Sequence, residues 1–449
     1  MASEFPSDWH IANFEDAMDE IIDYRGKTAK KSNVGIPLLS AKVIKNGRLL
    51  REKFEYIPPQ DYDEWMRRGI PKPTDIVMTT EAPLGEIAQL DDGKYALGQR
   101  LVTLRGKQDY LDNTYLKYQM LSLHVQHQLN ARATGTTVLG IKQRELRQIE
   151  LIIPPLEEQR AIAHILGSLD DKIEANRRMN ETLENTARAI FKSWFVDFDP
   201  VHAKANGETP EGMSAETADL FPDDFQESEL GLIPRGWSAL RLEQVLEVIE
   251  TGKRPRGGIK GITKGVPSIG AESIVGLGMF DYAKTKYVPE DFFTTIKKGI
   301  VEDRDVLLYK DGGRPGVFLP HVSMFGDGFP FHRMALNSHV FRIRGNSSIS
   351  QEFLYLWMSS PLIMHEMHLR GGGAAIPGIN QTTVKGLPAL LPSQDIIRSF
   401  DKQVSSLISK VFSNCNENRI LAELRDTLLP RLISGELRVE DVREFVEDV

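Results

Sequence analysis

The sequence predicts a duplicated fold of mixed α/β (α+β) modules, each followed by a long coiled-coil helix. Three observations carry this reading. A segment from Gly140 onward returns in register 238 residues later, with Gly140-Ile141 matched by Gly378-Ile379 and Ile152-Ile153-Pro154 by Leu390-Leu391-Pro392. Each copy continues into a heptad seam. More weakly, the residues before the seams repeat as well, at offsets near 228–231.

The junctions come first. In LIIPPLEEQRAIAHIL, from Leu151, an apolar run meets Pro154-Pro155 and then a helical period. Proline suits the start of a helix, where its missing N–H has no partner to lose, and it forces the preceding residue towards extended backbone. The motif therefore reads as a strand entering a helix, and LLPSQDIIRSFDKQVSSL from Leu390 reads the same way.

The seams follow. Ile162, Leu166, Leu169, Ile173, Leu183, Ile190 and Trp194 alternate three- and four-residue steps once Asn176, Asn180 and Ala187 take their places in the row. The second row is Phe400, Val404, Leu407, Val411, Leu421, Leu428 and Leu432, with Asn414, Asn418 and Arg425 between them. About 40 residues at 1.5 Å each make a helix on the order of 60 Å. A polar seam residue reduces stability but fixes register, so the two recurring asparagine pairs mark helices that must meet in one alignment.

The modules repeat in anchors rather than throughout. Pro6-Ser-Asp-Trp9 answers Pro234-Arg-Gly-Trp237, Gly35-Ile36-Pro37 answers Gly265-Val266-Pro267, and Tyr56-Ile57-Pro58 answers Tyr287-Val288-Pro289. Gly69 with Asp75-Ile76-Val77 answers Gly299 with Asp305-Val306-Leu307, each a turn entering a short strand. A shared framework with divergent intervening residues is one scaffold carrying two surfaces. Between the first helix and the second module, Val196 to Leu230 is acidic, punctuated by Gly and Pro and without a period, and reads as an ordered loop or linker.

Composition narrows the function. One cysteine, Cys415, excludes an internal disulfide framework and a Cys-rich zinc site, and with no signal peptide or long apolar run a reducing cytoplasm is expected. The net charge of −8 conceals a division: residues 1–152 balance to zero, 153–234 carry −10, 235–392 carry +5 and 393–449 carry −3. The acidity sits in the connector, which leaves both modules free to meet a polyanion. Catalytic motifs are missing. GGGAAIPG lacks the Gly-Lys-Ser/Thr of a phosphate loop, and His365-Glu-Met-His368 has the wrong spacing for a two-histidine zinc helix. Neither an Asn-Pro-Pro-aromatic methyltransferase motif nor a nuclease carboxylate-lysine cluster is present.

The chain resembles the specificity subunits of Type I restriction-modification systems over nearly its whole length. The resemblance rests chiefly on IIPPLEEQRAIAHILGSLDDKIEANRRMNETLENTARAIFKSWFVDFDPV from Ile152 and LRDTLLPRLISGEL from Leu424, in order and flanking a second variable module. It implies two target-recognition domains with pseudo-twofold symmetry joined by two antiparallel helices, each domain reading one half of a split site in double-stranded DNA while the helices set the unread spacer. On this basis residues 1–153 are expected to form the first target-recognition domain, 154–196 the central helix, 197–232 an acidic linker, 233–391 the second domain and 392–449 the last helix and tail.

The resemblance also implies a non-catalytic subunit that binds no cofactor of its own. Two methyltransferase subunits would dock on the helices with S-adenosylmethionine, and translocating nuclease subunits with ATP and Mg would join them. The loop GGGAAIPGIN is more glycine-rich than its partner TGTTVLGIKQ, which puts equivalent contacts there in doubt. A duplicated protein-binding adaptor with a coiled-coil spacer is the alternative reading. Its binding would be indifferent to duplex and only weakly dependent on salt.

Candidate DNA contacts are cations for phosphate and polar side chains for base edges. The first module offers Arg25, Lys27, Lys30 and Lys31 in DYRGKTAKKSN. The second offers Lys253, Arg254, Arg256 and Lys260 in ETGKRPRGGIK at the corresponding place. After the strand DVLLYK, which ends at Lys310, the turn DGGRPG carries Arg314; its counterpart TTEAPLG carries Thr79 and Thr80. Gln99-Arg100, His332-Arg333, Arg132-Ala-Thr134 and Arg370 complete the set. Taken singly, each of these leaves a structural role as open as a contact.

Overall fold

The computed structural model describes residues 6–441 apart from 25, 27, 46, 315 and 373–376. Two compact units emerge, one of residues 1–173 with 420–449 and the other of 174–419. Both boundaries fall within the long helices, which run Leu156–Phe195 and Gln394–Ser434.

The first unit is built on an antiparallel four-stranded sheet in the order Met18–Asp23, Leu101–Gly106, Ile76–Thr80 and Leu84–Gln89. A second sheet sets Ile36–Leu39 between Glu55–Ile57, antiparallel, and Ala96–Leu97, parallel. A third pairing joins His10–Asn13 to Glu150–Ile153, so the strand leading to the long helix is tied to the start of the module. Two helices, Asn113–Leu121 and Leu123–Arg132, meet at Ser122, whose buried hydroxyl caps the second.

The second unit repeats these three pairings. Its main sheet runs Leu246–Thr251, Val340–Gly345, Val306–Tyr309 and His321–Met324. Val266–Ile269 lies between Lys286–Val288 and Ala335–Leu336 with the same mixture of directions. Ser238–Arg241 pairs with Pro388–Leu391, and helices Gln351–Met358 and Pro361–Gly371 are divided by the capping Ser360.

The repeated sequence anchors hold identical turns. Trp9 and Trp237 donate backbone N–H to the carbonyls of Pro6 and Pro234 at 2.9 and 3.1 Å. Gly35 and Gly265 have φ of 140° and 141°, and a Cβ at either would stand 2.2 Å from the carbonyl oxygen of Ile57 or Val288. Only glycine allows the two strands to approach so closely.

Each unit holds a portion of both helices, packed against one another. In the first unit Ile162, Leu166, Leu432 and Ile433 close the core beneath the main sheet. At the helix interface there, Asp170 receives Lys117, at 2.7 Å, and Arg425, at 2.8 Å. Burial would raise the Asp170 carboxyl, but the charges of Lys117 and Arg425 outweigh it and hold the group below its ordinary range.

In the second unit Asn176 Nδ2 donates to Asn418 Oδ1 at 3.0 Å, and Asn414 Nδ2 donates to Asn180 Oδ1 at 2.8 Å. Antiparallel packing follows from this descending order. Because Asn176 corresponds to Asn414 and Asn180 to Asn418, the two bonds exchange under the 238-residue offset, each copy's first asparagine donating to the other copy's second. The seam reading thus holds in both its apolar and its polar positions.

The acidic segment after the first helix is folded onto the second unit. It contains helices Asp199–Ala205 and Ala215–Asp219 and the hairpin Phe225–Ser228 with Gly231–Pro234. Its Val201 and Phe221 are buried, and Phe221 meets Trp194 edge-on at 5.1 Å. Those contacts anchor a segment whose carboxylates face water, so its polarity coexists with fixed structure. Nearby Phe400 is enclosed by Phe191, Trp194, Phe195 and Phe353.

Candidate nucleic-acid interface

The end of strand Ile76–Thr80 organises a cleft in the first module. Thr80 donates its N–H to the Arg100 carbonyl at 2.8 Å and accepts from Ile141 N–H at 3.0 Å, which brings three distant loops together. The loop after helix Leu123–Arg132 is closed by reciprocal backbone bonds between Thr134 and Gly140, at 2.8 and 3.0 Å. Gly135, at φ 121°, folds its tip. Val138 and Leu139 project there, 50% and 49% exposed.

The resulting cleft has a volume of about 300 Å³, and Thr80, Glu81, Gln99, Arg100, Thr134 and Lys142 are among its lining residues. Arg100 adopts a left-handed backbone, φ 66°, and its Nε lies 2.9 Å from Glu81 Oε1 in an ion pair. Gln99 Nε2 donates to Thr28 at 2.7 Å, tying the basic loop to the rim.

The second module assembles the same frame from other side chains. Lys310 donates N–H to the His339 carbonyl at 3.0 Å and accepts from Ile379 N–H at 2.8 Å. Asp311 bridges Gly378 as Glu81 bridges Gly140. The Asp311 carboxylate receives His339 Nδ1 at 2.8 Å and Lys310 Nζ at 3.2 Å. At matched positions, then, Arg100 with Glu81 is replaced by His339 with Asp311.

Beneath each frame a buried carboxylate anchors the sheet. Arg105 forms a two-pronged pair with Asp75, at 2.8 and 2.7 Å. Its counterpart Arg344 reaches Asp305 at 2.8 Å, joined there by Arg342. In Asp305, burial pushes the carboxyl up to about 6, and Arg342 and Arg344 oppose that rise.

Placement of the remaining candidates divides them. Lys30 and Lys31 are exposed, and Lys31 pairs with Glu55 at 2.9 Å. Arg25 and Lys27 lie outside the described residues. Lys253, Arg254, Arg256 and Lys260 are exposed on the corresponding loop and make no ion pair with a described residue. Arg314 is exposed on a two-stranded hairpin, Gly313–Arg314 with Val317–Phe318. Arg333 is engaged by Glu290, at 2.8 Å, and stacks over Phe293.

Three candidates are engaged in their modules' own framework. Thr79 is fully buried and its hydroxyl accepts the Glu86 N–H at 2.9 Å, so it offers nothing outward. Arg132 and Arg370 occupy equivalent positions and do equivalent structural work: Arg132 donates to the Gln148 carbonyl at 3.1 Å and Arg370 to the Gly386 carbonyl at 3.0 Å. Each guanidinium ties the end of a helix to the turn before the module's last strand.

Glu81, Lys142, Asp311 and His339 were not singled out from sequence. A signal for two of them is present: TTEAPLG aligned with DGGRPG puts Glu81 opposite Asp311.

Among the described residues no helix is long and apolar enough to cross a membrane. A family model, the Type I restriction modification DNA specificity domain, matches residues 19–185. The chain is 32% identical to the HindI specificity subunit of Haemophilus influenzae, over 68% of this chain and 73% of that one. It is 25% identical to the MjaIX specificity subunit of Methanocaldococcus jannaschii, over 98% and 96%. The crystal structure of a Type I restriction-modification S subunit from M. genitalium superimposes with a TM-score of 0.53 at 17% identity, covering 96% of this chain and 97% of that one, and shares its duplicated fold. With a relative this similar across most of both sequences, and with the duplicated modules and paired helices in place, the chain belongs to the specificity subunits of Type I restriction enzymes.

Proposed function

We propose that this chain recognises a bipartite sequence in double-stranded DNA, each module reading one half, and directs methyltransferase and nuclease subunits to it. The observation that supports this best is the recurrence of one backbone frame in both modules with different charged side chains upon it. A common frame gives the two modules one mode of docking, and different occupants give them different preferences.

Phosphate contacts come from exposed loop cations, Lys30 and Lys31 in one module and Lys253, Arg254, Arg256 and Lys260 in the other. Base contacts come from the clefts, where Thr80, Arg100, Thr134 and Lys142 have counterparts in Lys310 and its neighbours, with Arg314 and Arg333 flanking the second. The asparagine register of the helices holds the unread spacer constant. Two methyltransferase subunits carrying S-adenosylmethionine perform modification, and translocating nuclease subunits with ATP and Mg perform cleavage, in the cytoplasm. This chain contributes the address rather than the chemistry.

The test is a single-molecule methylome of cells expressing the chain with its companion methyltransferase, against cells lacking the chain. A split motif present only with the chain is expected. With the methyltransferase confirmed active and bound, the absence of any chain-dependent motif would refute the proposal.

A further inference from the structure

We infer, building on the DNA-reading role proposed above, that Arg100 reads a guanine in the first module's half-site with Glu81 as its positioning residue. The equivalent His339, set by Asp311, reads a base that presents an exocyclic amine.

The geometry of the pair is the first ground. A guanidinium has five N–H donors on two usable edges. Glu81 pairs with the Nε of Arg100 at 2.9 Å, and the terminal nitrogens make no hydrogen bond to another described residue. Both side chains are about half exposed, 54% and 44%, so the free edge faces solvent within the cleft. Guanine presents O6 and N7 in the major groove as two acceptors that such an edge matches.

The second ground separates base from phosphate. A cation intended for phosphate gains nothing from a neighbouring carboxylate, which repels the anion and reduces the local positive field. A base edge carries no net charge, so a carboxylate can orient the guanidinium there without repelling its target. The exposed cations at 253–260 have no such neighbour among the described residues, whereas the charged groups of both clefts do. Arg100 and the cations at 253–260 are thereby assigned to different targets, while Lys31, paired with Glu55 at 2.9 Å, stands outside this division.

Two features show that the cleft is arranged for an occupant. Arg100 is held at φ 66°, a conformation that costs an L-residue energy and that Gly or Asn would adopt more easily. Thr80 is 2% exposed, and its Oγ1 has no hydrogen-bond partner among the described residues. A polar ligand in the cleft can supply one.

In the second module the same logic gives a different preference. A carboxylate accepts, so Asp311 fixes a proton on His339 Nδ1, and when the imidazole carries that proton alone its Nε2 is an acceptor. Nε2 has no partner among the described residues, and an acceptor selects the amine of adenine or cytosine.

The experiment is the methylome of cells carrying the chain and its methyltransferase, comparing wild type with Arg100→Ala, Arg100→Lys, Glu81→Gln, Glu81→Asp and the double variant His339→Arg with Asp311→Glu. Arg100→Ala is expected to lose the guanine requirement at one position of one half-site, discrimination there falling about ten- to a hundredfold, with the other half unchanged. Glu81→Gln relaxes the same position to a smaller degree, and Glu81→Asp restores it. The double variant acquires a guanine preference at one position of the other half.

An unaltered motif in Arg100→Ala, whether methylated fully or uniformly less, overturns the assignment. Should Arg100→Ala abolish methylation, Arg100→Lys decides: relaxation at one position supports the fork, and an unaltered motif reduces Arg100 to a simple charge and overturns it. Lack of a motif with wild type sinks the DNA-reading role itself and is thereby distinguished from failure of this assignment.

Discussion

Replacing Asn180 by alanine tests how the helix register is held. Asn180 Oδ1 accepts from Asn414 Nδ2 at 2.8 Å, and Asn414 is completely buried. The Asn414 carbonyl oxygen already has no partner among the described residues, so Asn180→Ala leaves a buried amide with neither end satisfied. A buried polar group in that state costs about 1–3 kcal/mol. Asn176→Ala differs, because the groups it abandons, Asn418 Oδ1 and Glu417 Oε2, are half-buried and can turn to water. Its cost should be about 0.5–1.5 kcal/mol.

Hydrogen exchange read by mass spectrometry over residues 174–190 and 405–419 reports the opening of this part of the second unit directly, which avoids treating a two-unit chain as two-state. A double-mutant cycle of Asn180→Ala with Asn414→Ala should yield a coupling of roughly 0.5–3 kcal/mol. If Asn176→Ala costs more than Asn180→Ala, or the coupling is indistinguishable from zero, then burial is not what sets the strength of these bonds.

Other perturbations address separate parts of the molecule. Burial, reinforced by the charge of Glu352 and opposed by the Ser350 hydroxyl, pushes Asp401 up to about 6 from 3.8, so the folded protein retains a proton that the unfolded chain releases. The resulting penalty is absent below about pH 4 and complete above about pH 6; Asp401→Asn should stabilise the second unit by on the order of 1–2 kcal/mol at pH 7.5 and by nothing at pH 4, read from urea midpoints at both. For Asp170, whose pKa is lowered, the stabilisation exists at neutral pH and is lost as pH falls through the carboxylate range. Asp170→Ala strands buried Lys117 and should cost the first unit about 3 kcal/mol at pH 7 by urea unfolding, with a much smaller penalty at pH 3. Gly265→Ala places a Cβ 2.2 Å from the Val288 carbonyl and should cost at least about 1 kcal/mol; a thermal midpoint unchanged from wild type would show that the strands can part freely. Changing Lys253, Arg254, Arg256 and Lys260 together to alanine should flatten the dependence of log affinity on log salt by up to about 3.6, with an unchanged slope placing the loop away from phosphate.

What could be read from sequence was whatever depends on neighbours a few residues away. The Pro154-Pro155 junction, the seam from Ile162 to Trp194 with its asparagines, and the Trp9 and Trp237 turns are all local patterns, and the duplication displayed each of them twice. The cleft is not local. Residues 80–81, 99–100 and 134–142 meet through backbone bonds at Thr80, and no period records that meeting. Arg132 and Arg370 show the opposite difficulty: a sequence displays the charge but not the carbonyl that consumes it. The segment 196–230 resembled a linker because its few anchors, Val201 and Phe221 among them, are spaced irregularly while acidic residues surround them.

The seam also determines which helices can pair. Both asparagine bonds join a residue to the counterpart of its neighbour, so either long helix meeting a second copy of itself would retain them. Asp170 and Arg425 would not fare so well. Their counterparts under the 238-residue offset are Ile408 and Ala187, both buried in apolar core. A first helix paired with another first helix would set Asp170 against alanine, and a second paired with a second would set Arg425 against isoleucine. The asparagines make the seam nearly self-complementary, and the pair of Asp170 with Arg425 tells its two helices apart. That difference favours the pairing of unlike helices over like ones.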